Sequence, residues 1–89
     1  MTGDDVLGLL ADAVAVVLEV DPATVTRDTR LVEDLGADSL AIVEIVELLE
    51  ESLTARTGRA VRLEDEDLDD LRTAGDAVDK VLVAVRAGR

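Results

Sequence analysis

The 89-residue sequence holds most of its chemical potential in one stretch, Leu31-Val32-Glu33-Asp34-Leu35-Gly36-Ala37-Asp38-Ser39-Leu40. Glu44, Glu47 and Glu51 follow it at helical spacing. Gly36 gives the chain a free turn just before a helix. Asp38 or Ser39 can cap the free amides at the helix start, so the Ser39 hydroxyl lies at an exposed end. The chain has no histidine and no cysteine, and no lysine falls in this region. These absences exclude Ser-His-Asp and Cys-His catalysis, disulfides, thiolate metal sites and most zinc chemistry. Nothing nearby can deprotonate Ser39, so it is a poor self-activated nucleophile. It is well placed to be modified by another enzyme that brings its own base and metal.

Taken alone, a serine before a helix is a cap, and Asp38 likewise suits the helix dipole. A glutamate column is most often a solvated helix face. Here seven acids and no bases lie between Glu33 and Glu51, which forgoes the usual i, i+4 ion pairs. A second acidic stretch has six acids in the seven residues from Glu64 to Asp70. Asp65, Asp67, Asp69 and Asp76 match positions 1, 3, 5 and 12 of a calcium loop. Position 6 is Asp70 where glycine is needed, and position 12 is aspartate where glutamate is usual, so an EF-hand is not expected. Weak divalent binding that relieves repulsion is expected there, and no resident metal site. A hydrolase built on paired carboxylates would need a cleft that a chain this small lacks.

The elements that position Ser39 read as helices. Val6, Leu9, Leu10, Ala13, Val17 and Leu18 form one face of a helix from about Asp4 to Val20, ended by Pro22. Residues 21–37 form a long loop, with Val25, Leu31, Val32 and Leu35 pinning it onto the core. A second helix starts at Asp38-Ser39, buries Ile42, Ile45, Val46, Leu49 and Leu53, and ends by Gly58. Val61 and Leu63 anchor a further loop. Residues 64–71 suit a short helix, with Leu68 and Leu71 one turn apart. Thr73 and Asp76 form a capping box for a last helix, whose apolar stripe is Val78, Val81, Leu82 and Val85. The expected fold is all-α: a small four-helix bundle of three main helices and one short one, with a long loop between the first two. One domain spans 1–89, with a core of about 4–86 and a frayed end at 87–89.

Composition bounds the partners. The net charge is −12, from 21 acids and 9 bases. Nucleic acid and anionic membranes would repel such a surface, while basic protein surfaces would be steered to it. High like charge favours a monomer. No uncharged run exceeds the six residues of Ala13–Leu18, too few to span a membrane, and the start lacks the bases of a signal peptide. A cytoplasmic protein is expected. The hydrophobic fraction of 48% contains no aromatic residue, so the core is wholly aliphatic.

Leu35-Gly36-Ala37-Asp38-Ser39-Leu40 resembles the attachment motif of acyl carrier proteins. Residues 25–34 are similar to the loop that precedes it in that family, residues 43–51 to its second helix, and residues 71–78 to the start of its last helix. The likeness covers nearly the whole chain in the expected order. It implies a non-catalytic carrier with a 4′-phosphopantetheine arm on Ser39, added from coenzyme A by a phosphopantetheinyl transferase using Mg²⁺. Asp38 would help position that metal, and Leu40 would flank the arm. The arm's thiol would hold acyl intermediates as thioesters. Acyltransferases, ketosynthases or other acyl-processing enzymes would dock basic patches on Leu40, Val43, Glu44, Glu47 and Glu51, with Glu33 and Asp34 of the loop. The aliphatic interior would suit an acyl chain sequestered between helices. Ala41, Glu47, Leu31, Leu53 and the longer loop 54–63, with Arg56, Arg59 and Arg62, depart from the pattern of fatty-acid carriers. They point to polyketide or other specialised metabolism, with fatty-acid synthesis close behind. The competing reading is an acidic helical adaptor with Ser39 unmodified; both share one fold and differ only in whether Ser39 is a transferase substrate.

Overall fold

Thr2 opens the first helix through a reciprocal cap. The Asp5 amide donates to Thr2 Oγ1 at 3.2 Å, and the Thr2 amide donates to Asp5 Oδ2 at 2.9 Å. The computed structural model, which describes residues 1–64, 68 and 71–87, has three α-helices. They are α1 (Gly3–Leu18), α2 (Ser39–Thr57) and α3 (Ala74–Ala87). A single 3₁₀ turn, Pro22–Thr24, follows α1.

The all-α class holds, but the described residues show three helices and a 3₁₀ turn, not four α-helices. The short helix expected over 64–71 falls largely outside the described residues. Of its apolar pair, Leu71 is buried and Leu68 is half-buried. The fraying expected at 87–89 falls, for residues 88 and 89, outside them too; α3 runs to Ala87.

α1 stops at Leu18, two residues before the expected end, because Glu19 turns left-handed at φ 57°. Asp21 then caps the 3₁₀ turn by accepting from the Ala23 amide at 2.9 Å. α1 packs on both α2 and α3 and so buries a wider stripe than one face supplies. Ala11 and Val14 are buried beside Val6, Leu10 and Ala13, while the expected Leu9, Val17 and Leu18 are only half-buried. The stripe of α2 is buried as read: Ile42, Ile45, Val46, Leu49 and Leu53. Leu31 and Leu53 are essentially inaccessible, so leucine fills the core at both positions. α3 contributes Ala74, Ala77, Val78 and Val81.

The first loop is stitched to the entrance of α3. The Leu31 amide donates to the Arg72 carbonyl at 3.0 Å, Ala74 to Thr29 at 2.9 Å and Gly75 to Arg27 at 2.8 Å. A Cβ at Gly75 would lie 3.0 Å from the Arg27 carbonyl oxygen, so any side chain there would push the loop back by a few tenths of an ångström. Thr73 and Asp76 make the expected capping box, with amide–side-chain distances of 3.0 and 3.1 Å. Val25 and Leu31 anchor the loop in the core and Leu35 is half-buried, but Val32 does not pin it: its side chain is 56% exposed. The tight turn over 30–36 directs Val32 outward, while Ala37 takes the buried place beyond it.

Candidate functional site

The turn before α2 is closed by two backbone bonds, Gly36 amide to Val32 carbonyl at 2.9 Å and Ala37 amide to Leu31 carbonyl at 3.1 Å. Gly36 adopts φ 71°, a left-handed conformation that suits glycine. The chain then enters α2 with Asp38 as its cap. Asp38 Oδ1 accepts from the Ala41 amide at 2.8 Å. Ser39 is the first residue of the helix proper. The question of which residue caps is thus resolved in favour of Asp38. Among the described residues nothing hydrogen-bonds the exposed Ser39 hydroxyl, and nothing bonds Asp38 Oδ2. The Ser39 and Leu40 amides belong to the first turn, whose N–H groups have no intrahelical acceptor.

Beside Ser39 lies a cavity of about 440 Å³ lined by Val32, Asp38, Ser39, Ile42, Val43, Leu68 and Leu71. Its surroundings are unusually apolar for a surface: Leu40 is 66% exposed and Val43 39%. Val32, which sequence reasoning placed inside, joins them. A hydroxyl, a free carboxylate oxygen and open helix amides therefore meet an apolar recess. Among the described residues no base contacts the hydroxyl. The arrangement can receive a group on Oγ and shelter what that group carries; it cannot activate Oγ by itself.

The acids named from sequence divide in two. Glu44, Glu47 and Glu51 are exposed along α2 and have no ion pair among the described residues. Glu33 and Asp34 are instead tied to arginines. Arg30 lies 2.7 Å from Glu33 and 3.0 Å from Asp34, and Arg72 lies 3.6 Å from Glu33. The Arg30 amide also donates to Asp34 Oδ2 at 2.8 Å. That backbone bond, with the guanidinium beside it, holds the Asp34 carboxyl below the ordinary 3.8. Glu50 was not singled out by sequence. It turns toward the following loop and accepts from the Leu63 amide at 2.7 Å. Its place beside Leu49, at the edge of the buried stripe, is the signal that sets it apart from the column.

The calcium pattern loses its twelfth position. Asp76 Oδ2 is occupied by the Thr73 and Arg72 amides at 3.0 and 3.3 Å. Acids 65, 67, 69 and 70 fall outside the described residues. Among the described residues no cluster of three metal-ligating side chains occurs, and no helix is long and apolar enough to cross a membrane.

Comparison with known proteins agrees with this geometry. The family described as phosphopantetheine attachment site matches residues 8–81. The chain is 40% identical to an acyl carrier protein of Syntrophobacter fumaroxidans, over 79% of each chain. It is 36% identical to the meromycolate extension acyl carrier protein of Mycolicibacterium smegmatis, over 86% of this chain and 72% of that one. The fold resembles the solved acyl carrier protein of Enterococcus faecalis with a TM-score of 0.70 at 28% identity, covering 94% of this chain and 99% of that one.

Proposed function

The chain belongs to the acyl carrier proteins with a phosphopantetheine attachment domain, and from that premise we propose that Ser39 Oγ is its attachment atom. Proteins of this family carry 4′-phosphopantetheine covalently and work with acyl-processing enzymes. The observation that carries the assignment is the Ser39 hydroxyl at the first turn of α2, which no described residue bonds, with Asp38 taking the cap. The local residues fit the group. A phosphodiester on Oγ would stand at the positive end of the helix dipole, within reach of open amides. Bound there, the arm supplies the thiol that the chain itself lacks, and so a thioester link to an acyl cargo.

Ser39 Oγ attacks the β-phosphorus of coenzyme A, the one bonded to pantetheine. The new Oγ–P bond replaces the P–O bond to the adenosine bisphosphate, which leaves. The proton of Oγ goes to a base of the phosphopantetheinyl transferase, since no base among the described residues contacts it. Asp38, with Oδ1 held by the Ala41 amide, would help hold the transferase's Mg²⁺. Leu40, Val43 and Val32 form the apolar collar around the arm's root, and the adjoining recess shelters the first part of the cargo. Acyltransferases, ketosynthases or related enzymes dock basic patches on Glu44, Glu47 and Glu51, with Glu33 and Asp34 at the margin. The departures at Ala41, Glu47 and loop 54–63 favour polyketide or other specialised metabolism over fatty-acid synthesis as the pathway. A monomer fits the net charge of −12.

Intact mass after incubation with a promiscuous transferase, coenzyme A and Mg²⁺ tests this. Wild-type protein gains one phosphopantetheinyl unit and Ser39→Ala gains none. An unmodified, folded wild-type protein that gains nothing would instead be an acidic adaptor.

A further inference from the structure

The acidity of the chain reverses between Arg56 and Arg62, where three arginines occur in seven positions. The segment leaving α2 is not left loose. The Val61 amide donates to Thr54 Oγ1 at 3.4 Å, and the Leu63 amide donates to Glu50 Oε2 at 2.7 Å. Val61 is buried and Leu63 half-buried. Arg62 stands between these two anchored residues, and its own side chain is exposed. There it lines an open groove of about 660 Å³ together with Glu47, Glu51, Ala55 and Ala60. Glu50 also borders the groove, but it is committed to the Leu63 amide. Among the described residues Glu47, Glu51 and Arg62 have no ion pair, although they face one groove.

Charges of both signs that share a groove without neutralising each other are available to a third party. A cation on a partner can meet Glu47 and Glu51. The same partner must then bring a carboxylate, not a second cation, to Arg62. A guanidinium receives a carboxylate through two parallel bonds, whereas a facing lysine or arginine meets like charge and loses its hydration for nothing. The floor between, at Ala55 and Ala60, is apolar and exposed.

We infer that Arg62 is a specificity-determining residue of the docking face: the groove takes a partner segment of mixed charge, cation toward Glu47 and Glu51 and carboxylate toward Arg62, and disfavours a purely basic one. The inference rests on the reading of α2 as the docking face. It assigns the loop arginine a discriminating role, through a repulsive element as well as an attractive one.

Two synthetic helical peptides of equal length and identical apolar residues test it. One carries lysine on both flanks; the other carries lysine on one flank and aspartate on the other. Each is titrated into ¹⁵N-labelled protein, and the ratio of the two dissociation constants is the readout. Arg62→Glu moves that ratio toward the basic peptide by roughly fivefold or more, and Arg62→Gln moves it part of the way. Arg72→Glu changes the net charge equally but lies outside the groove, and moves the ratio far less. Amide shifts on the wild type fall within 47–62. Glu47→Gln with Glu51→Gln weakens both peptides. If that pair weakens both peptides while the Arg62 variants leave the ratio unchanged, or Arg72→Glu shifts it equally, Arg62 does not discriminate and the docking reading stands. If the glutamate pair changes nothing, the docking reading fails and this inference with it.

Discussion

The chain uses carboxylates in two ways within twenty residues of each other. In the loop before Ser39, Glu33 and Asp34 are gathered by Arg30 and Arg72 and by a backbone amide. On α2, Glu44, Glu47 and Glu51 stand exposed with no cation of the described residues to meet them. The residue types are the same. What differs is whether the charge is consumed in shaping the backbone or left facing outward. A count of acids treats the two alike, yet only the second set has its full field to offer a basic partner. The loop acids hold the turn that delivers Ser39; the helix acids do nothing for the fold and repel one another.

The sharpest way to separate the two regions is to damage the loop without touching α2. Leu31 is essentially inaccessible and anchors the loop. Leu31→Ala should cost about 2–5 kcal/mol, read as a lower urea midpoint, a large share of the stability of so small a domain. A cost well under 1 kcal/mol would mean that the loop is not part of the core. The converse experiment strips the free column. Glu44→Lys with Glu47→Lys should lower kcat/KM of a basic-surfaced transferase about tenfold at low ionic strength, and less at high salt. Melting temperature should hold or rise, since repulsion falls. A drop in stability would break the contrast.

Acid titration distinguishes the regions in one sample. Asp34, Asp5 and Asp76 are all held below the ordinary 3.8, each chiefly by a backbone amide it accepts from. A carboxyl depressed in the folded state stabilises fully above its unfolded value, and loses that contribution as pH falls through its folded value. These three contributions should therefore be intact from pH 7 to about 5 and be lost below about 4, which lowers the melting temperature there. Asp76→Asn should flatten part of that fall; an unchanged profile would remove the cap as its cause. The smallest effect is expected at Arg30. Its ion pairs are exposed, and such pairs contribute little. Arg30→Met should lower the melting temperature by no more than a few degrees, while Glu33 and Asp34 begin to contribute to the salt dependence of transferase docking. An unaltered salt slope would show that these acids stay out of the docking field even when freed.

Legibility in the sequence followed the range of the interaction. The α2 stripe and the Thr73–Asp76 box were readable because each is a local pattern, fixed by helical period or by a three-residue cap. Ser39 stands out only through the likeness of residues 35–40 to the carrier attachment motif; by type alone it reads as a cap, a place the structure gives to Asp38. α1 was read too narrowly: Val14 and Ala11 fall outside one face, and only packing against two helices buries them. Val32 was read as an anchor because its side chain is apolar; the turn that exposes it depends on hydrogen bonds between residues 30–37 that have no composition signal. The tie of Glu33 to Arg72 and the seat of Gly75 against Arg27 join distant segments, and nothing local announces either.

That seat has a consequence in time. The three amide bonds that hold the loop before Ser39 join residues roughly 40–50 positions apart, and all of their distant partners lie at the entrance of the last helix. Long closures of this kind form late in folding. On the ribosome the serine leaves the tunnel well before the segment that braces its loop. On the role proposed for Ser39, an enzyme that recognises the braced turn would meet its substrate only after the final helix has docked, and modification would report that the helices have assembled.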